Sequence, residues 1–189
     1  MTDPSSSPSA KTRRLWAFLI ITGIVVVLLL IGFRLLQNDA VGTALGEKPA
    51  DFVLESYSGE SISTADLRGR VVLVNFWASW CVTCPEDVRM LEAAWQDIQR
   101  DQGEDILFLG VAYMDTRQAS LDFLAEHGMT YPSGPDLRGE ISRTYRVSSV
   151  PETFILDRDG VLRYIRIGPF SGMSEIYSAL EMAANPPVQ

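Results

Sequence analysis

Cysteine is close to absent from this 189-residue chain: Cys81 and Cys84 are the two it has. A pair three positions apart cannot form the disulfide framework that staples small secreted folds, so whatever chemistry it carries is local. Histidine is scarcer still, with His127 alone. Tetrahedral zinc takes four ligands, and two cysteines plus one histidine fall short of a structural site. With no placed partner, His127 reads as a solvated residue at a helix end and not as a general base. Positive charge is in deficit too, with 16 Lys and Arg against 24 Asp and Glu for a net charge of -8 and a pI near 4.6. Such a surface repels a phosphate backbone, which excludes nucleic acid as a partner. Apolar residues are plentiful, at 47%, and the length suits one domain with a real core plus an extension.

Charge of either sign is missing from Leu15 to Phe33. About 18 or more such residues suffice to cross the roughly 30 Å hydrocarbon layer as a helix, so residues 15–36 are predicted to be a transmembrane anchor. Residues 1–14, rich in Ser and Pro, are predicted to be a disordered cytoplasmic tail. Lys11, Arg13 and Arg14 before the apolar run, against a lone Arg34 and then Asp39 after it, orient the N-terminus to the cytoplasm. The competing reading is a cleaved signal peptide, with Ala40-Val41-Gly42 as a weak cleavage site. On either reading the rest of the chain is exported: a linker over 37–48, then a domain over 49–189.

In that domain Val71-Val72-Leu73-Val74-Asn75-Phe76 has the composition of a central strand buried on both faces. A helix is predicted from about Pro85 to Arg100, where Val88, Leu91, Ala94, Trp95 and Ile98 recur at helical spacing. Ile106 to Ala112 is a second buried-strand pattern, and Asp115-Thr116-Arg117-Gln118 offers a capping signal for a helix to about His127. Thr153–Leu156 and Val161–Ile167 flank the turn Asp157-Arg158-Asp159-Gly160, which predicts an antiparallel hairpin. A last helix runs from Ser171 or Ser174 to Ala184. The order describes an α/β fold, a three-layer α/β/α sandwich around a mixed sheet.

Trp80-Cys81-Val82-Thr83-Cys84 falls where the buried strand ends and the helix begins. Unpaired N–H groups and the positive end of the helix dipole favour a thiolate there, so Cys81 is the candidate nucleophile and Cys84 the resolving cysteine. Of the two acids that follow, Asp87 shares a helical face with Cys84, Leu91 and Ile98, whereas Glu86 falls on a more exposed face. Both also meet the helix dipole favourably, which is the bland explanation for them.

The strings Asn75-Phe76-Trp77-Ala78-Ser79-Trp80-Cys81-Val82-Thr83-Cys84 and Val150-Pro151-Glu152-Thr153-Phe154 resemble the thioredoxin superfamily, specifically its membrane-anchored branch containing ResA, TlpA and CcmG (DsbE). The similarity spans about residues 46–182. The resemblance implies a thioredoxin fold with an added N-terminal hairpin, around Phe52-Val53-Leu54 and Gly59, and a central insertion between Val111 and Arg146. It implies that Pro151 is the family's cis-proline, in a loop facing the cysteine pair. Trp80, Val150, Pro151, Glu152 and Thr153 would then line the substrate-binding surface. It places Asp87 where the family has a glutamate that accepts a proton from the resolving thiol; here the side chain is one methylene shorter. It implies no cofactor beyond the redox-active Cys81–Cys84 disulfide and no metal.

The function implied is an extracytoplasmic thiol:disulfide oxidoreductase on the periplasmic face of a bacterial membrane, reducing apocytochrome c cysteines and fed by a membrane electron donor of the CcdA or DsbD kind. Two alternatives use the same residues: a general or copper-site reductant of the TlpA kind, and a binding module that holds apocytochrome. A thioredoxin-fold peroxidase needs Thr-x-x-Cys, and position 78 is Ala.

Overall fold

The computed structural model describes residues 16, 19–30, 32, 43–101 and 105–186. Two compact units divide the chain, Met1–Ala40 and Val41–Gln189. In the first, residues 19–30 are helical with exposed side chains. Among the described residues no helix is long and apolar enough to cross a membrane. The tail at 1–14, most of the remainder of 15–36, and residues 37–42 of the linker lie outside the described residues.

The second unit is built on the strand expected at its centre. β3 (Val71–Trp77), after a hairpin of β1 (Val53–Glu55) and β2 (Ser61–Ser63), is buried at every position. It lies mid-sheet in the order β5-β4-β3-β6-β7, with β4 at Ile106–Tyr113, β5 at Ser133–Asp136, β6 at Glu152–Leu156 and β7 at Leu162–Ile167. β3, β4 and β5 run parallel, and β6 and β7 are antiparallel to their neighbours. The mixed sheet follows from the connections. A helical crossover returns the chain parallel after β3, while the five-residue connection after β6 can only reverse it.

Successive side chains of a strand face opposite ways, and β3 divides accordingly. Val71, Leu73 and Trp77 join one core with Val88, Leu91, Ala94 and Ile98 of α1 (Cys84–Asp101). Phe123 of α2 (Arg117–His127) and Ile176, Ala179 and Leu180 of α4 (Met173–Ala184) complete that side. Val72, Val74 and Phe76 enter the other core with Phe154, Leu156 and Tyr145 of α3 (Glu140–Tyr145). Asn75 is thereby assigned to the α1 side, fully buried.

The two faces are covered unequally. Three helices lie on one; on the other α3, of six residues, shares the work with the β1–β2 hairpin, through Phe52, Leu54 and Ile62. The outer layer expected to be helical is therefore part hairpin, and the predicted Gly59 turn, at φ 90°, closes that hairpin. Between 111 and 146 the chain folds α2, edge strand β5 and α3, so the insertion widens the sheet by one strand. The β6–β7 turn is held by the Asp157 carboxylate, which accepts the Asp159 and Val161 amides, both at 2.9 Å. Gly160, at φ 77°, holds a left-handed backbone that residues with a side chain rarely adopt, and the Arg68 guanidinium lies 2.5 Å from where a Cβ would sit.

Candidate active site

β3 ends at Trp77 and α1 begins at Cys84, so Cys81 lies in the connecting loop and Cys84 is the first residue of the helix. Cys81 and Cys84 are joined as a disulfide, with Cα atoms 5.4 Å apart. Their surroundings differ. Cys84 is sealed at 0% exposure, while Cys81 keeps 7% and is flanked by Trp80 at 58% and Val82 at 92%. The Cys84 amide donates to Cys81 Sγ at 3.1 Å. The Thr83 hydroxyl lies 3.9 Å from the same sulfur. Donors aimed at Cys81 stabilise its thiolate once the pair is reduced.

The approach to Cys81 is clamped by a residue that sequence reasoning left as part of a helix cap. Asp115 accepts the Ser79 amide at 2.7 Å and the Ser79 hydroxyl at 2.9 Å, as well as the Thr116 amide at 2.8 Å. Capping of α2 falls to Thr116, whose hydroxyl accepts the Ala119 amide at 3.3 Å. His127 ends that helix with its ring against Phe123.

Opposite the disulfide, the Val150–Pro151 peptide bond is cis. The Val150 carbonyl oxygen stands 3.4 Å from Cys81 Sγ. Trp80 leans toward Tyr113 with ring centroids 6.5 Å apart. Trp80, Val150 and Pro151 thus gather around the accessible sulfur. Glu152 and Thr153, expected to line the same surface, turn their side chains inward instead. Glu152 is 3% exposed, and its Oε1 accepts the amides of Ser148 and Ser149 at 3.1 and 2.9 Å and both of their hydroxyls. It latches the loop that presents Val150. Thr153 is fully buried and its hydroxyl accepts from Asn75 Nδ2 at 3.0 Å. The register of the sheet explains both, since Thr153 pairs with Asn75 and Glu152 with Phe76.

Asp87 is fully buried, whereas Glu86 is exposed. The Asp87 carboxylate accepts the Phe170 amide at 2.8 Å and Asn75 Nδ2 at 3.3 Å. Burial pushes its pKa up to about 6, against the opposing pull of the Phe170 amide, Asn75 and the Arg166 charge. The Phe170 segment is fixed in turn: Arg166 donates twice to the Pro169 carbonyl, at 2.9 and 2.7 Å, and Glu175 accepts the Ser171 amide at 2.8 Å. Hydrogen bonds from the Ser171 hydroxyl and amide hold Glu175 down at a pKa of about 2. Among the described residues no group of three or more His, Cys, Asp or Glu side chains is disposed to hold a metal ion.

A site of this geometry can exchange disulfides, with one sulfur that keeps a little access to solvent, one sealed sulfur and a buried acid one helical turn beyond the second. The family model of the AhpC/TSA family matches residues 45–165. This chain belongs to that family. It is similar to the thioredoxin-like protein YneN of Bacillus subtilis, 31% identical over 78% of this chain and 89% of the relative. The thiol-disulfide oxidoreductase ResA of Geobacillus kaustophilus is 30% identical over 78% of this chain and 85% of its own. Among solved structures, a Chlorobium tepidum protein assigned as the thiol:disulfide interchange protein DsbE superposes with TM-score 0.64 at 26% identity, over 74% of this chain and 99% of that one. StoA of Bacillus subtilis shares the fold at TM-score 0.60 and 24% identity, over 69% and 96%. The chain is a thiol-disulfide oxidoreductase of the ResA/DsbE type with a thioredoxin fold.

The residues that sequence reasoning missed are Asn75, Asp115 and the Phe170 amide with its Arg166 support. Asn75 did leave a signal, as the single polar residue inside an otherwise apolar buried strand. The others act across 36 to 83 positions of sequence.

Proposed function

We propose that this protein is a membrane-anchored reductant of client disulfides on the extracytoplasmic face of a bacterial membrane, with apocytochrome c as client. The asymmetry of the two sulfurs beside the Val150 carbonyl carries the reading. In the reducing direction, the Cys81 thiolate attacks one sulfur of the client disulfide and the client's other sulfur leaves as a thiol. The Cys84 thiolate then attacks Cys81 Sγ, releasing the second client thiol and leaving the protein disulfide. Two electrons have passed to the client, and a membrane donor of the CcdA or DsbD kind restores the dithiol. Asp87, on the buried face of α1 with Cys84, takes the Cys84 proton; a carboxyl with a pKa of about 6 suits that task near neutral pH. The uncharged run from Leu15 to Phe33 is the anchor, and the resemblance of the Pro151-Glu152-Thr153-Phe154 string to CcmG-type proteins supports the client.

The test is a Cys84→Ser protein, which still attacks but does not resolve. It should accumulate mixed disulfides through Cys81, and mass spectrometry should find haem-attachment Cys-x-x-Cys-His peptides in them. Copper-protein cysteines would move the client to the runner-up class. Trapping through residue 84 partners in a Cys81→Ser protein would reverse the roles. Deletion of the gene should lower covalent cytochrome c, with partial rescue by a small thiol; rescue by an oxidant would reverse the direction.

A further inference from the structure

A groove of about 180 Å³ opens between the end of β4 and α3, lined by Tyr113, Met114, Leu137, Arg138, Arg143 and Val147 among others. It adjoins the redox site from two sides. Tyr113 carries the Trp80 ring contact, and Val147 begins the loop that Glu152 latches and that leads to Val150 and cis-Pro151. Its rim is apolar and exposed, with Met114 at 63% and Leu137 at 66%. Met114 holds a left-handed backbone at φ 46°, which is uncommon for a residue with a side chain and recurs at functional sites. Drug-sized ligands and cofactors take about 300–1,000 Å³, so this groove has room for no more than a side chain of a passing polypeptide.

The charge on that rim runs against the rest of the molecule. In a chain of net charge -8, Arg138 and Arg143 are exposed and neither forms an ion pair among the described residues. Arg143 donates to the Arg138 carbonyl at 2.7 Å, which leaves its charge unneutralised. Asp136 does not offset them: it is buried, and its oxygens accept the amides of Glu140, Ile141 and Ser142 at 2.8, 3.3 and 2.8 Å. Glu140 is the exposed acid of this segment, on the first turn of α3.

We propose that this groove is a specificity site for the client polypeptide, seating an apolar side chain between Met114 and Leu137 while a neighbouring client carboxylate meets Arg138 and Arg143. It rests on disulfide exchange at Cys81 and not on the client being an apocytochrome.

The test uses the reduced full-length protein and synthetic peptides, each with one internal disulfide and flanks carrying Leu-Asp, Leu-Asn or Leu-Lys. Each turnover takes two electrons from the dithiol, leaving the protein disulfide and two peptide thiols. The Asp peptide should be reduced about three-fold faster than the Asn peptide at low ionic strength, the size of an exposed ion pair, with the Lys peptide slowest. The order should collapse at about 1 M salt, where the Debye length is ~3 Å. Arg138→Glu should reverse the Asp-over-Lys order, while Arg100→Glu, making the same charge change at the far end of α1, should keep it. Equal rates for Asp and Lys peptides, or an Asp preference that survives Arg138→Glu, would overturn the proposal. Reduction of none of the peptides would instead remove the exchange activity on which it rests.

Discussion

Asp87 shows how one residue ties stability to chemistry. A carboxylate in full burial with two hydrogen bonds has its folded pKa raised to about 6, above the ~3.9 of an unfolded Asp. The folded state therefore binds more protons than the unfolded state between those values, and stability falls as pH rises through that window. The destabilisation is complete above the folded pKa and absent below the unfolded one. Oxidised Asp87→Asn should accordingly be more stable than the parent at pH 7 to 8, by up to roughly 3 kcal/mol, with the gain vanishing as pH falls to about 4. Asn75 can accommodate the change, because its Oδ1 is buried without a partner and can accept from the new amide if the Asn75 group turns over. Thermal melts across pH check it; a variant less stable than the parent at pH 8 would show that Asp87 is a net stabiliser. The same variant should resolve client more slowly, and Glu86→Gln, at an exposed position, should do neither.

At the scale of elements, the site is a meeting of loop ends, each tied down by a carboxylate, two of them from distant segments and Glu152 from the strand that follows its own loop. Asp115 holds the Ser79 turn before Cys81, Glu152 holds the Ser148-Ser149 turn before Val150, and Asp87 holds the Phe170 turn. Ala78, Val150 and Phe170 of these loops pack on the apolar core, and the buried hydrogen bonds fix the backbone of each turn against it. Asp115→Ala leaves the Ser79 amide unsatisfied, which should cost about 1–3 kcal/mol and slow exchange at Cys81. Ser79→Ala keeps the amide bond and should cost less. Denaturant unfolding and alkylation of the reduced protein read the two effects; equal losses for both variants would place the weight on the hydroxyl. The loop before Cys81 and the cysteine spacing were legible in sequence because β3, the Cys-x-x-Cys string and α1 are contiguous. The partners of the anchoring acids were not, since neither Asp87 on α1, Asp115 in its loop nor Glu152 at the start of β6 shows in its own residue type which amide it accepts.

For the molecule as a whole, the proposed placement rests on the chain ahead of the domain. If the anchor puts Lys11, Arg13 and Arg14 on the cytoplasmic side as proposed, protease added to intact spheroplasts should cleave within residues 37–189 and spare residues 1–14. Protection of the domain would overturn the proposed orientation. By itself the sequence determined the central strand, the helix after the cysteines, the hairpin about Asp157–Gly160 and the identity of the redox pair. Each of these is local: a continuous run of apolar residues, helical spacing and turn chemistry act over a few residues and are written in their types. Only the tertiary structure decided that Asn75 lies under Asp87, that Glu152 and Thr153 turn inward, that the second face of the sheet is closed partly by a hairpin, and that two arginines rim a groove beside Trp80. Those outcomes depend on the register between strands distant in sequence. A shift of one residue would turn every side chain of a strand to the other face, and no pattern within a single segment records which register the packed core selects.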